Sequence, residues 1–487
     1  MSTAYFINAF FDATTTNEDG QDMTATGDTL MVTAAGSLLA LAGGDGINSS
    51  GGSEQIMLNG LAYSSAADGV LISGGDTSCV VDGEAATGAA SGATGVYMQG
   101  GQDFLTVGAK GQVSGGVDLR TATTDDDTVV NDGEIVGSVG IFSDGTSGQN
   151  SFNNAGTISV TSTGIIAQGE KTGDAIHNSG HINATNVGIQ VGDNAGYSNV
   201  ITNSGVIQAN ECIEVSSDST LDFISNSGLI SADQNGYAIS IKGTVGGYLD
   251  TIENSGAIQG SMETDADSRV SIDNTGTWSQ GGIDLSAGDS TLTNSGQIEA
   301  ADYAIYMSKG DNKLTNSGSI TGAISMGAVG GPTNSLINSG EITGNITFSS
   351  GKSTLANSGQ IHGTVSLAAD GSLINDGTIH GTLYAAASDV IDDSRGVVTG
   401  GIRAWSSDTF EYEGNFGNET INKFITGTGS TRDMIQFAAN DFGSFAAVQK
   451  DMSQVGADVV IRLDTTDSIT LTNVTLSSLA SADFKFV

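Results

Sequence analysis

The chain has 487 residues with a formal net charge of −40, from 15 Lys and Arg against 55 Asp and Glu. It holds 71 Gly but one Pro, 38% hydrophobic and 6% aromatic residues, a balance that excludes collagen-like and proline-rich readings. Nucleic acid is excluded as a partner because counterion release needs a cationic surface, and the same charge disfavours anionic polysaccharides and anionic membranes while favouring divalent cations.

Residues 1–30 open with Met1-Ser-Thr-Ala-Tyr-Phe-Ile-Asn-Ala-Phe-Phe, which lacks the basic and long apolar regions of a signal peptide for the general secretory route. Its aromatic side chains, Tyr5, Phe6, Phe10 and Phe11, suit a cap or assembly segment. Nothing in the chain approaches the ~20 apolar residues of a transmembrane helix. From residue 31 a Gly-rich rhythm sets in, expected to be solenoid-like although it carries no clear motif before residue 129.

The dominant signal is repetition. The pattern Asn-x-Gly-x-Ile begins at Asn131, Asn154, Asn178, Asn203, Asn226, Asn254, Asn294, Asn316, Asn338, Asn357 and Asn375, and a copy at Asn274 carries Trp278 in place of Ile. Successive spacings run from 18 to 28 residues, with a period of about 22. In Leu292-Thr-Asn-Ser-Gly-Gln-Ile298 the residues Leu292, Asn294, Gly296 and Ile298 share parity, so a strand sends them to one face. A second short apolar run follows, as in Gly188-Ile-Gln-Val191 and Ala304-Ile-Tyr-Met307, and then a Gly/Asp turn. Short strands, Gly-rich turns and no 3.6-residue period predict an all-β fold: a parallel β-helix, or β-solenoid, of ~22-residue rungs over residues 31–401, with clear repeats over 129–400. An Asn on the core-facing parity is costly unless its amide is bonded. Stacked rungs place identical Asn side chains roughly 4.8 Å apart, close enough to form a structural ladder through all twelve positions. The Gly two residues on is expected to let the chain bend at a corner.

Candidate sites inside the rungs are few. The acidic cluster Asp125, Asp126 and Asp127 and the turn residues Asp289 and Asp311 are candidate calcium ligands, with solvated turns as the alternative. His362 and His380 lie 18 residues apart at matching positions of adjacent rungs and should stack, as an exposed pair or a metal-binding one. His177 and His181 flank a single rung corner. Cys79 and Cys212 are too far apart for a framework of disulfides and read as buried structural thiols. The cations Lys171, Lys242, Arg269, Lys313 and Lys352 are scattered, and no nucleophile elbow, Walker loop, dinucleotide fingerprint or HExxH motif occurs, so catalysis is not expected.

Near residue 402 the rhythm stops and aromatic residues rise, among them Trp405, Phe410, Tyr412, Phe416, Phe424 and Phe437. Val459, Ile461 and Leu463 alternate with polar residues, turn through Thr465-Thr-Asp and resume at Ile469 and Leu471, which predicts a hairpin within a small C-terminal β domain over 402–487. Asp433-Met-Ile-Gln-Phe437, Val455–Leu463, Asp467–Val474 and Leu479–Val487 resemble the tails of proteobacterial repeats-in-toxin proteins. That resemblance implies calcium binding and an uncleaved C-terminal signal for type I secretion, hence a bacterial protein at the cell surface or outside the cell. The Asn-Ser-Gly rungs in turn resemble passenger repeats of autotransporter adhesins. The chain departs from the first family in holding only fragments of its Gly-Gly-x-Gly-x-Asp nonapeptide, such as Gly43-Gly-Asp-Gly46 and Gly288-Asp289.

Three functions remain open from the sequence. One is a secreted structural or adhesive solenoid that associates with itself, end to end in a filament or layer, or with a cell-surface glycan. The others are a calcium-dependent secreted binding protein and a glycan-active β-helix enzyme such as a lyase or epimerase.

Overall fold

The computed structural model describes the chain except for residues 14–17, 90–91, 121–125, 145–147, 169–172, 193–197, 217–221, 243–248, 266–267, 287, 328–332 and 350. The fold is a parallel β-solenoid, and it divides into two compact units, Met1–Ser268 and Arg269–Val487.

In the first unit each coil contributes one strand to one sheet, turns a corner, and contributes one or two strands to a second sheet. Thr128–Asn131 pairs in parallel with Ser151–Asn154, and Glu134–Asp144 pairs with Thr157–Gln168. Because strand side chains alternate, one parity of each strand stacks inward on its neighbours. Leu30, Ile56, Cys79, Leu105, Val129, Phe152 and Ile176 form one such column, in register and at most 2% exposed. Each buried Ile or Leu contributes about 1.5–3 kcal/mol, so the thin core is held by repetition rather than by bulk. Cys79 and Cys212 are buried, reduced members of it, and burial pushes both thiols up to about 12.

The expected cap at residues 1–30 is the first coil itself. Ala4–Ile7 pairs in parallel with Thr29–Val32, and Phe10–Ala13 with Ser37–Ala40. The alternation of Tyr5 and Ile7 against Phe6 is a strand pattern, and in the register of the next coil it pairs rather than caps.

In the second unit the inward columns are Trp278, Ile298, Ile320, Ile342, Ile361 and Ile379, beside Ile283, Ile305, Ile324, Ile346, Val365 and Leu383. Parallel coiling runs past residue 401: Thr409–Tyr412 pairs with Val390–Asp392 and with Met434–Phe437, which in turn pairs with Phe484–Phe486. The hairpin is present as Asp458–Arg462 against Ser468–Thr472, antiparallel, with Met452–Val455 on its other side. It is joined to the coils through the parallel pairing of Ser468–Thr472 with Asn418–Asn422, so residues 402–487 continue the solenoid instead of forming a separate domain. The aromatic residues of this region explain that continuity. Phe410, Tyr412, Phe416, Phe424, Phe437 and Phe442 are all buried, filling the core of these coils with larger side chains. Phe445 and Phe486 are half-buried, and Trp405 is 66% exposed.

The corner Gly has a reason other than bending. A Cβ at Gly180 would collide with the carbonyl oxygen of Gly156 in the neighbouring coil, and one at Gly318 with that of Gly296. Neither has a left-handed backbone. The close stacking of corners, and not the turn itself, selects glycine.

Candidate functional site

The repeat Asn side chains point inward and are at most 2% exposed. In the first unit Asn131 Nδ2 donates to Asn154 Oδ1 at 2.7 Å, and the same bond recurs from Asn154 to Asn178, Asn178 to Asn203, Asn203 to Asn226 and Asn226 to Asn254 at 2.7–2.8 Å. In the second unit it runs from Asn274 through Asn294, Asn316, Asn338 and Asn357 to Asn375, again at 2.7–2.8 Å. Most of these Nδ2 groups have a further acceptor in a backbone carbonyl, as in Asn203 with Leu229 at 3.2 Å. The backbone joins in: the carbonyl of Asn178 accepts from the N–H groups of Ser204 and Gly205 at 2.8 and 3.1 Å. The buried Asn amides are thereby hydrogen-bonded along the column, which is the condition for burying them.

The ends of the columns differ. Asn131 follows Val32, Leu58, Val81 and Val107, which occupy the ladder position in the preceding coils. At the far end of the second unit Asn375 Nδ2 donates to Asp393 Oδ1 at 2.7 Å. Asp393, Tyr412 and Glu419 are buried together there, at most 2% exposed. Burial and the charge of Asp393 hold the Glu419 carboxyl well above the usual carboxylate range, so this acid is carried in its protonated form.

A second polar column was missed in the sequence. Four residues before each repeat Asn of the first unit stand Asp127, Asn150, Asp174, Asn199, Asp222 and Asp250. All are buried, and each accepts through Oδ1 a backbone N–H from the adjoining coil, as Asp127 does from Asp103 at 2.8 Å and Asn199 from Asp174 at 3.0 Å. Burial, aided by the charge of Asp222, pushes Asp250 up to about 7. In the second unit Asp389, Asp408 and Asp433 do the same for Gly371, Asp389 and Asp408 at 2.7–3.0 Å. Burial raises Asp389 to about 6 and Asp408 to about 7. The Asp/Asn alternation at a fixed offset was visible in the spacing, but it lies among turn residues where Asp is commonplace.

The candidate calcium ligands do not converge. Asp125 lies outside the described residues. Asp126 is exposed and accepts the N–H of Gln149 at 2.9 Å, while Asp127 belongs to the buried column. Asp289 and Asp311 stack, Asp289 accepting the Asp311 N–H at 2.8 Å and Asp311 the Thr333 N–H at 2.6 Å. Among the described residues no group of three or more His, Cys, Asp or Glu is arranged to hold a metal ion. The described carboxylates accept backbone amides, Asp127 from Asp103 and Asp289 from Asp311. The His362 and His380 rings stack at 4.4 Å and 4°, with His362 Nε2 3.1 Å from Glu341 and His380 Nε2 3.0 Å from Gln360. His177 and His181 are exposed on strands Ala175–Asn178 and His181–Ala184, on either side of the Asn178 corner.

One acid–cation cluster was also missed. Lys242 Nζ lies 3.1 Å from Glu211 and 3.3 Å from Glu214, and Gln190 donates to Glu214 at 3.2 Å. Lys242 is 31 residues from Glu211 in sequence, so only the coil register brings them together. The two glutamates divide their titration: burial raises Glu211, whereas its hydrogen bond to Glu211 and the charge of Lys242 lower Glu214 against burial. On the second unit two shallow cavities, of about 480 and 440 Å³, share Tyr384 and Arg403.

Stacked parallel register and paired polar columns define the class: a β-solenoid repeat protein. No family model matches the chain, and no curated protein is significantly similar to it in sequence.

Proposed function

We propose that this chain is a non-enzymatic structural and adhesive solenoid of the bacterial cell surface that associates with copies of itself end to end. The observation that carries this reading is the row of exposed aromatic rings on the first coil. Ala4–Ile7 and Phe10–Ala13 pair on one side only among the described residues, so their outer edges present backbone donors and acceptors. Phe6, Phe10 and Phe11 are 61%, 65% and 49% exposed beside those edges. A coil end that offers both unpaired strands and exposed aromatic rings is matched best by another coil end of the same register, a heterologous contact that propagates. In the second unit Phe484–Phe486 likewise pairs on one side among the described residues, a strand of the kind such a contact requires. Export through a type I route rests on the likeness of the tail to repeats-in-toxin proteins.

Negative-stain electron microscopy and sedimentation across a concentration series test the assembly. Particles that lengthen with concentration, and stay short when Phe10→Asp and Phe11→Asp are combined, are the expected result. Single particles of the unaltered chain at every concentration, with and without calcium, overturn it. Fusion of residues 433–487 to a carrier in a type I-secreting bacterium tests the export route, and retention of the carrier inside the cell counts against it.

A further inference from the structure

We infer that the outer face of the second unit around Trp405 is a binding site for an acidic saccharide, a chain of pyranose rings bearing carboxylate or sulfate groups. Tyr384, Arg403, Asn422 and Thr472 stand in one row across four strands, in consecutive register. Their spacing is that of neighbouring strands, roughly 4.8 Å, which is comparable with the repeat of an extended pyranose chain. Beside the row stand the exposed Trp405, two residues after Arg403, and the exposed Lys423, next to Asn422.

Within the row Thr472 donates to Asn422 Oδ1 at 2.9 Å and Asn422 Nδ2 to the Ile402 carbonyl at 3.3 Å, which leaves the two cations as the free groups of this face. Among the described residues neither Arg403 nor Lys423 is in a salt bridge, and the ion pairs that do form involve Arg120, Lys242 and His362. The Arg403 guanidinium lies over the Tyr384 ring, 6.0 Å from its centre, so its fork is oriented by an aromatic face while its donors stay free. A planar fork with free donors pairs bidentately with a carboxylate or sulfate. Trp405 at 66% and Tyr384 at 38% exposed offer flat apolar surface to the C–H face of a sugar ring, where Phe410, Tyr412, Phe416 and Phe424 are buried. Ala385, Ala386 and Ala387 line the floor beside Trp405, leaving a shallow cavity of about 480 Å³ without large side chains to fill it.

The net charge of the chain argues against an anionic partner in general, but it is unevenly placed. Residues 269–487 hold 11 of the 15 basic and 23 of the 55 acidic residues, a formal −12 against −28 for residues 1–268. At physiological salt charges beyond roughly 8 Å are screened, so the local pair Arg403 and Lys423 decides. Two cations are too few for a nucleic-acid backbone, whose binding neutralises a run of phosphates. Together with two exposed rings they fit an acidic sugar. This inference is independent of end-to-end assembly, since a single chain presents the whole row.

The chain carries two Trp, and Trp278 is fully buried, so quenching by acrylamide reports on Trp405. Titration with a short oligogalacturonate, a sulfated oligosaccharide and a neutral oligogalactoside of equal length gives the test. Binding of at least one acidic probe should shift Trp405 emission to the blue and shield it from acrylamide, and should weaken as salt rises. By calorimetry Arg403→Gln and Lys423→Gln should each weaken it on the order of tenfold, and Trp405→Ala should weaken it further, with circular dichroism unchanged in these surface variants. The Phe10→Asp, Phe11→Asp double variant should bind as the unaltered chain does, which separates this site from the assembly reading. Equal affinity for the acidic and neutral probes, unchanged affinity in both Arg403→Gln and Lys423→Gln, or no binding in the millimolar range overturns the inference.

Discussion

Replacing Asn203 by Ala cuts the amide column of the first unit at its middle. Two bonds between side chains disappear, the one donated to Asn226 and the one accepted from Asn178, both 2.7 Å long, together with the longer 3.2 Å bond to the Leu229 carbonyl. Each such bond is worth about 1 kcal/mol net. Asn226 Oδ1 is left buried without its donor, a further cost of about 1–2 kcal/mol, whereas Asn178 Nδ2 keeps the Val206 carbonyl at 3.1 Å. The expected loss is about 3–4 kcal/mol. Asn131→Ala is the control. Its position is preceded by Val107, so it accepts no ladder bond. It loses the bond to Asn154 and the 3.2 Å bonds to the Thr157 carbonyl and from the Gly133 N–H, and it too leaves Asn154 Oδ1 without its ladder donor. The expected cost is therefore smaller by about 1 kcal/mol, the worth of one ladder bond. Because coils contact only their neighbours, a single global midpoint is the wrong measure. Native-state hydrogen exchange at the amides of the adjoining coils reports the local opening energy instead. Protection should fall most at Ser204 to Leu229 for Asn203→Ala, and less at Asn154 to Thr157 for Asn131→Ala. Equal losses in the two variants would refute the ladder as the source of the stability.

Three further outcomes are expected. Glu419 and Asp393 have carboxyls raised by burial, and Asp408 is raised to about 7, so the stability they contribute is fully present below the unfolded carboxylate range. It is lost as pH climbs through the raised values, so the thermal midpoint should be higher at pH 5 than at pH 9 (about 5 and about 9, bracketing the shifts), with Glu419→Gln flattening the alkaline side; a midpoint that rises with pH contradicts this. Gly180→Ala forces a methyl group onto the Gly156 carbonyl and should cost about 2 kcal/mol or more by chemical denaturation, while Gly443→Ala, whose nearest atom is 3.6 Å away, should be near neutral. Trp278→Ala empties the largest fully buried side-chain volume and should cost about 3–5 kcal/mol, read from the denaturation midpoint; a loss below 1 kcal/mol, taken as roughly the cost of a surface change, contradicts the packing.

The repeat was legible because Asn and Ile recur on one parity at a nearly fixed period, and that pattern defines the coil wherever it occurs. It fell silent before Asn131 for a physical reason: Val32, Leu58, Val81 and Val107 hold the same inward position, and an apolar side chain there leaves no distinctive letter in the sequence. At the other end, large aromatics in the core looked like a new domain because the residues changed while the parallel register did not. The buried Asp column was hidden by composition, since Asp at a turn carries little information until its neighbour in the next coil is known. The Tyr384–Arg403–Asn422–Thr472 row was hidden by separation, because Asn422 and Thr472 are 50 residues apart in sequence and adjacent only across strands.

The amide column has a bearing on how a chain of this kind can change. An Asn receives a bond from one side and offers an identical bond on the other, so a duplicated coil slots in without any new partner chemistry. Turn lengths between columns drift freely, as the spacings of 18 to 28 residues attest. The number of coils is thus an inexpensive variable for mutation, while the axial positions of surface groups move only in whole steps of one strand. A solenoid built this way behaves as a ruler with fixed graduations, on which recognition groups can be relocated but never placed between marks.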